Sequence, residues 1–274
     1  MTTGADLLQA IVASVRASLD ARALVVPRDE LERRAAARGP RAELFREALA
    51  GGAAPRIIAE CKRRSPSRGV LQPRYDAAAI ASGYAAAGAA AISVLTEPAF
   101  FDGDLAHLEA VRATVDLPVL RKDFVVDEYQ VLEARAAGAD AVLLIVAALD
   151  GRALADLLAA CARHGLAALV EVHDATELAR ALGAGADVIG VNQRSLRSLD
   201  VSASRALELV ASIPDWCVAV AESGLRTGAE VARLSRAGFD AFLVGERLMA
   251  AASPGEALAG LLADARAALS AEER

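Results

Sequence analysis

The sequence predicts an α/β fold, a (β/α)8 TIM barrel carrying a helical N-terminal extension. Its 274 residues match the roughly 250 of such a barrel plus a short addition. Four segments echo one another: Gly88-Ala-Ala-Ala-Ile-Ser-Val-Leu, Gly138-Ala-Asp-Ala-Val-Leu-Leu-Ile, Gly185-Ala-Asp-Val-Ile-Gly-Val-Asn and Gly238-Phe-Asp-Ala-Phe-Leu-Val-Gly. Their glycines lie 50, 47 and 53 residues apart, about twice the length of one βα unit. One more apolar run falls in each gap, and another precedes the series.

Residues 1–55 form the extension and 56–274 the barrel. The extension holds expected helices at Ala5–Ala21, Arg28–Arg38 and Arg41–Ala50, with Pro27 at the first join and Gly51-Gly52 as the break. It is too short to build much core of its own. Eight strands follow, at 57–62, 91–96, 119–124, 141–146, 167–173, 188–193, 218–222 and 241–245. Each is a continuous apolar run, the pattern of a strand buried on both faces. Helices fall between them, as at Asp76–Ala87, Glu128–Ala137, Arg152–Arg163 and Thr227–Ala237. Each repeated glycine reads as the left-handed residue that ends a helix before the next strand. A doubly wound open sheet is the rival, and the unbroken run of eight units favours the closed barrel.

Composition narrows the function. Hydrophobic residues make up 55% and charged residues 24%, which describes a globular chain. A net charge of −6 argues against nucleic acid as a partner. No apolar run is long enough for a membrane span, and no signal peptide is evident. Three cysteines, Cys61, Cys161 and Cys217, offer neither a disulfide framework nor zinc spacing, as expected of a cytoplasmic protein.

Of thirty basic residues only Lys62 and Lys122 are lysines. An ammonium is a compact donor whose pKa responds to its surroundings, whereas guanidinium stays charged, so these two positions draw attention for proton transfer. Both end apolar runs. In such barrels the site lies at the C-terminal ends of the strands. Alternation puts Ile58, Glu60 and Lys62 on one face. It does the same for Leu120, Lys122 and Phe124; for Leu169, Glu171 and His173; for Val188, Gly190, Asn192 and Arg194; and for Val218, Val220 and Glu222. Five strands thus bring a polar residue to one mouth, where opposite charges in a dry pocket suit acid–base work. Burial and neighbouring basic groups are expected to lower the pKa of Lys122. Glu222-Ser223-Gly224 and Val244-Gly245-Glu246 end strands seven and eight, where backbone N–H groups often cradle phosphate.

These residues resemble the indole-3-glycerol phosphate synthase family of tryptophan biosynthesis. The stretches that carry the likeness are Ile57 to Gly69 with its Lys-Arg-Arg-Ser-Pro-Ser run, Phe100-Phe-Asp-Gly103 and Leu120-Arg-Lys-Asp-Phe124. Glu171-Val-His173, Gly190-Val-Asn-Gln-Arg194, Ala221-Glu-Ser-Gly224 and Leu243-Val-Gly245 complete the set. The resemblance implies a carboxy-lyase. Its substrate would be the anionic phosphosugar 1-(2-carboxyphenylamino)-1-deoxyribulose 5-phosphate, closed to indole-3-glycerol phosphate with loss of carbon dioxide and water. It implies no metal and no organic cofactor. By motif, Lys122 is similar to the general acid of ring closure and Glu171 to its partner in dehydration. Lys62 is similar to a lysine on the substrate's anionic groups, and Glu60 would tune it. Asn192, Arg194 and Glu222 resemble positioning groups, while Ser223, Gly224 and Gly245 resemble the phosphate site. Ser65 and Pro66 would shape the first loop, Phe124 would line the pocket, and the extension would help enclose the ligand.

The sequence departs from the family at Gln193, which alternation turns towards the helices, and at Glu246, where some members have a small hydroxyl residue. Glu246 either points away from the phosphate or repels it. Arg63, Arg64 and Arg68 are either a solvated loop or a steering patch for anions. His173 belongs to the motif without an assigned role, and Trp216 reads as packing. Phosphoribosylanthranilate isomerase chemistry, which needs a Cys/Asp pair, is disfavoured because Cys61 faces away. A barrel kept only for binding is disfavoured by the intact Glu60, Lys62, Lys122, Glu171 and Asn192 set. Which pathway enzymes the chain contacts is not written in the sequence.

Overall fold

The computed structural model describes residues 4–194 and 203–271. Eight parallel strands close into a barrel: β1 Arg56–Cys61, β2 Ala91–Leu95, β3 Val119–Lys122, β4 Ala141–Ile145, β5 Ala167–Val172, β6 Val188–Asn192, β7 Val218–Glu222 and β8 Ala241–Val244. Each pairs with its sequence neighbours, and β1 pairs with β8 to close the ring. Alternation sorts the side chains as expected. Ile58, Leu120, Leu143, Leu169, Val188, Val220 and Leu243 fill the interior. Ile57, Ala59, Val94, Val142, Val170, Ile189 and Phe242 pack outward beneath the helices.

Most strands end one or two residues earlier than the apolar runs. His173 and Gln193 lie just past the ladder, where the chain already turns into a loop. Periodicity cannot locate that point, because burial continues after pairing stops. The glycine reading holds: Gly88, Gly138, Gly185 and Gly238 all have φ between 89° and 108°, left-handed backbone that favours glycine. The aspartate two residues later has its own use. Asp140 accepts from Val119 N and Asp240 from Ala219 N, both at 2.8 Å, so each satisfies the strand before it.

The extension runs the length of the barrel. Helix α1, Gly4–Val25, crosses the C-terminal mouth and buries Ile11 and Val15 in the interior cluster. Helix α2, Arg28–Ala36, packs Leu31 and Ala35 on Tyr129, Leu132 and Ala136 of helix Glu128–Ala137. Helix α3, Ala42–Ala50, plugs the opposite end with Phe45 and Leu49, both fully buried. Burying each such side chain contributes about 1.5–3 kcal/mol. Trp216, expected to pack, is 55% exposed beside α3, its carbonyl accepting from Arg46. Among the described residues no helix is long and apolar enough to cross a membrane.

Candidate active site

The strand ends converge on a cavity of about 850 Å³ at the C-terminal mouth. The thirteen residues given roles by the resemblance, and Glu246, line this region, and the strand ends Lys62, Lys122, Glu171, Asn192 and Glu222 all face inward. Lys122 lies on the floor. Its Nζ is 3.3 Å from Glu171 Oε2 and 3.2 Å from Glu222 Oε2. The expected lowering of its pKa does not occur. Burial alone disfavours the ammonium, but Glu222, Glu171 and Glu60 outweigh it and hold the pKa above the usual lysine range. Acids, not basic groups, surround this lysine.

Glu60 forms an ion pair with Lys62. Glu171 is also buried, yet Lys122 and His173, with a hydrogen bond from Asn192, hold its carboxyl below the usual range. Glu222 goes the other way. Burial pushes it up to about 8 against the pull of Lys122, and the negative charge of Glu171 adds to the rise. A hydrogen bond between Glu171 and Glu222 requires a proton on one of them, and Glu222 is the one that keeps it. Its Oε1 is buried beside Gly190 without a hydrogen-bond partner among the described residues.

Two glycines make room for these acids. A Cβ at Gly190 would overlap Glu222 Oε1, and one at Gly245 would overlap Glu60 Oε1. Gly245, expected to serve close approach to a phosphate, is thus required first by a carboxylate. Ser223 (φ 63°) and Gly224 (φ 74°) are both left-handed, in a turn after the strand, and turns can gather backbone N–H groups for an anion. Gln193 stands behind that turn, its amide donating to Ser223 O at 3.1 Å. Asn192 Oδ1 accepts from Arg194 N at 3.0 Å and fixes the start of the next loop.

Charges at the rim are paired between loops. Glu246 Oε1 is 3.2 Å from Arg68 and its Oε2 is 3.6 Å from Arg194. Its charge is therefore compensated by two arginines. Arg63 and Arg64 both reach Asp102, at 2.7 and 3.5 Å, so the arginine cluster ties the first loop to the second and eighth. Ser65 Oγ accepts from Arg68 N at 3.2 Å inside the same loop, and Pro66 stands beside it on the cavity wall.

One wall is apolar. Phe124 packs on Phe101 with ring centroids 6.1 Å apart, and Phe100, Leu7, Leu8 and Ile11 continue the surface. The α1 contribution was detectable as Leu7-Leu8-x-x-Ile11 at helical spacing, but spacing does not say what the stripe covers. The residue that motif reasoning undervalued is His173, which sits between Glu171 and Glu177. Cys61 packs outside the barrel among the helix contacts, away from the cavity. Among the described residues no group of three or more His, Cys, Asp or Glu side chains is arranged as a metal site.

A family model described as indole-3-glycerol phosphate synthase matches residues 8–261. The indole-3-glycerol phosphate synthase of Laribacter hongkongensis is 49% identical over 263 residues, covering 94% of this chain and 99% of the relative. That of Streptomyces griseus is 50% identical over 258 residues, covering 94% and 95%. Among solved structures, thiamine phosphate pyrophosphorylase from Pyrococcus furiosus aligns with a TM-score of 0.60 at 19% identity, covering 82% of this chain and 99% of that one. A mandelate oxidase with (S)-2-phenylpropionate aligns at 0.61 and 20%, covering 88% and 92%. Likeness at such identity shows the fold alone.

Proposed function

The chain belongs to the indole-3-glycerol phosphate synthase family, lyases of tryptophan biosynthesis, and from that premise we propose that its reaction runs on Lys122 and Glu171 as acid and base. The substrate is 1-(2-carboxyphenylamino)-1-deoxyribulose 5-phosphate, an anionic phosphosugar. Its aromatic ring lies against Phe124 and the α1 stripe. Its phosphate rests on the backbone of Ser223, Gly224 and Gly245. Lys62 and Arg194 face its anionic groups, and Ser65 and Pro66 cover it from the first loop. Glu246 holds Arg68 and Arg194 at the edge of the phosphate region.

Ring closure places negative charge on the former carbonyl oxygen. A buried ammonium beside that oxygen stabilises the charge and then donates its proton. The high pKa of Lys122 is no obstacle, because an alkoxide is a stronger base than an amine. The acids around Lys122 keep it charged until that moment. Ring closure leaves an iminium on the aniline nitrogen, and the electrons of the C–CO2 bond neutralise it as carbon dioxide departs. Dehydration then needs one group to take a proton and another to give one. Glu171 is ionised and serves as the base, and Lys62 gives the proton with which the hydroxyl leaves as water. Asn192 orients Glu171, Glu60 orients Lys62, and Glu222 presents a neutral carboxyl to the intermediate. Three buried cysteines, all free, support a reducing, cytoplasmic setting.

The observation that carries the reading is Lys122 Nζ between Glu171 and Glu222 on the cavity floor. The test is indole fluorescence on mixing the protein with this substrate, alongside Lys122→Met. Signal should grow with the parent, and kcat should fall by about 10²–10⁴ in the variant, the usual weight of one positioned acid. A silent parent with an intact fold would sink the proposal. A variant near parental rate would remove Lys122 from its role.

A further inference from the structure

We propose that His173, held by Glu177, is a positioning residue that keeps Glu171 ionised for dehydration. This rests on Glu171 being the base, as argued above. The chain of contacts begins at helix Ala175–Gly183. Glu177 Oε2 accepts from His173 N at 2.8 Å and lies 3.1 Å from His173 Nδ1. Asp174 Oδ1 in turn accepts from Glu177 N at 2.9 Å. The two acids therefore fix the loop in the manner of a capping box and leave the imidazole little freedom. Across the ring, His173 Nε2 is 3.5 Å from Glu171 Oε1. That nitrogen is buried and has no hydrogen-bond partner among the described residues. An orphaned buried nitrogen so close to a carboxylate is costly as a lone pair and favourable as a donor.

Acids face His173 from three elements, Glu177 from the following helix, Glu171 from β5 and Glu222 from β7, and the one cation beside them, Lys122, lies beyond Glu171 and Glu222. Burial disfavours the imidazolium, but these acids outweigh it and raise the pKa of His173. Lys122 approaches Glu171 at its other oxygen, Oε2. Glu171 thus has a cation at each end. Lys122 is spent as an acid in ring closure, and His173 is the cation that remains. Removing a neighbouring positive charge raises a carboxylate pKa, so Glu171 would take up a proton where it must act as a base.

Helix capping alone would explain Glu177, so the test must separate charge from structure. Glu177→Gln keeps an oxygen for both His173 donors and removes the charge. His173→Gln removes the imidazolium. In both variants the acid limb of the kcat profile should move up by about one pH unit. At a pH below the parental limb, kcat would then fall about tenfold, and on the plateau it would stay within about twofold. The melting temperature of Glu177→Gln should stay close to parental. A profile of parental shape in both variants, whatever the loss of rate or stability, overturns the inference and leaves a cap.

Ring nitrogen NMR of the intact protein provides an arm independent of turnover. His173 should titrate above ordinary histidine, and the titration should move down in Glu177→Gln and in Glu171→Gln. A titration unmoved in both variants also overturns the inference. A parent that makes no indole product instead counts against the proposed reaction, while the NMR arm still decides the contact.

Discussion

Gly245 and Glu60 illustrate how one small residue can meet a demand that its sequence context does not reveal. Glycine after strand eight was legible, and a phosphate cradle is its usual reason. The carboxylate of Glu60 occupies the space a Cβ would need. Gly245→Ala should therefore displace Glu60 from Lys62 and lower kcat/KM by about 10–100-fold, with a loss of about 1–3 kcal/mol in stability from overpacking. In a Glu60→Ala background the same change should be nearly silent. A double-mutant cycle measures this, and additive losses would refute the clash. The Lys122 expectation failed for a related reason. Sequence shows which residues share a face but not which of them touch. Strand ends carrying Glu60, Glu171 and Glu222 were all identified, yet only the register of the closed barrel places their charges around one ammonium. His173 was placed on the interior face but given no role, because its partner Glu177 lies on a helix, outside the strand alternation.

At the scale of elements, α2 is tied to the barrel by Glu128. This side chain pairs with Arg28 of α2 at 3.0 Å, and with Arg163 and His164 of the next helix at 2.9 and 3.2 Å. Hydrogen bonds from Arg163, then Arg28, hold its carboxyl down to about 2. The folded pKa lies below the unfolded value of about 4.3. The contribution is therefore complete above that value and is lost as pH falls towards 2. Glu128→Gln should be less stable than the parent at pH 7 by up to about 1 kcal/mol, since the group is partly exposed. Urea midpoints at pH 7, 4 and 2 should show the gap shrinking and then closing; a gap that survives at pH 2 contradicts the pairing. Helix Glu128–Ala137 was found from sequence within its own bounds, whereas α1 proved longer than read, Gly4–Val25 against 5–21. Nothing in residues 22–25 breaks a helix, and the apolar side chains there follow no core-facing period.

For the molecule as a whole, the site is maintained against its own electrostatics. Glu222 keeps its proton up to about 8, far above an unfolded glutamate. Between about 4.3 and 8 the unfolded chain has released a proton that the folded protein retains. Stability from this group therefore falls as pH rises through that window. Glu222→Gln should melt above the parent at pH 8, with a smaller gap at pH 5, while turnover declines. Equal gaps at both pH values would mean that the carboxyl is not a source of strain. The barrel was legible because every strand obeys one alternation, and the repeat of glycine, apolar run and helix leaves few topologies. The packing of the extension was not, because contact between α3 and the barrel floor is a matter of shape. The scarcity of lysine has a practical edge. Lys62 and Lys122 are the only lysines, and both lie in the cavity, each engaged with a carboxylate. Apart from the α-amino group, amine-directed chemistry meets no target elsewhere on this surface. A lysine tag on this protein is a tag inside its cavity, and random coupling to a support through side-chain amines would attach it by the two groups proposed above for its chemistry.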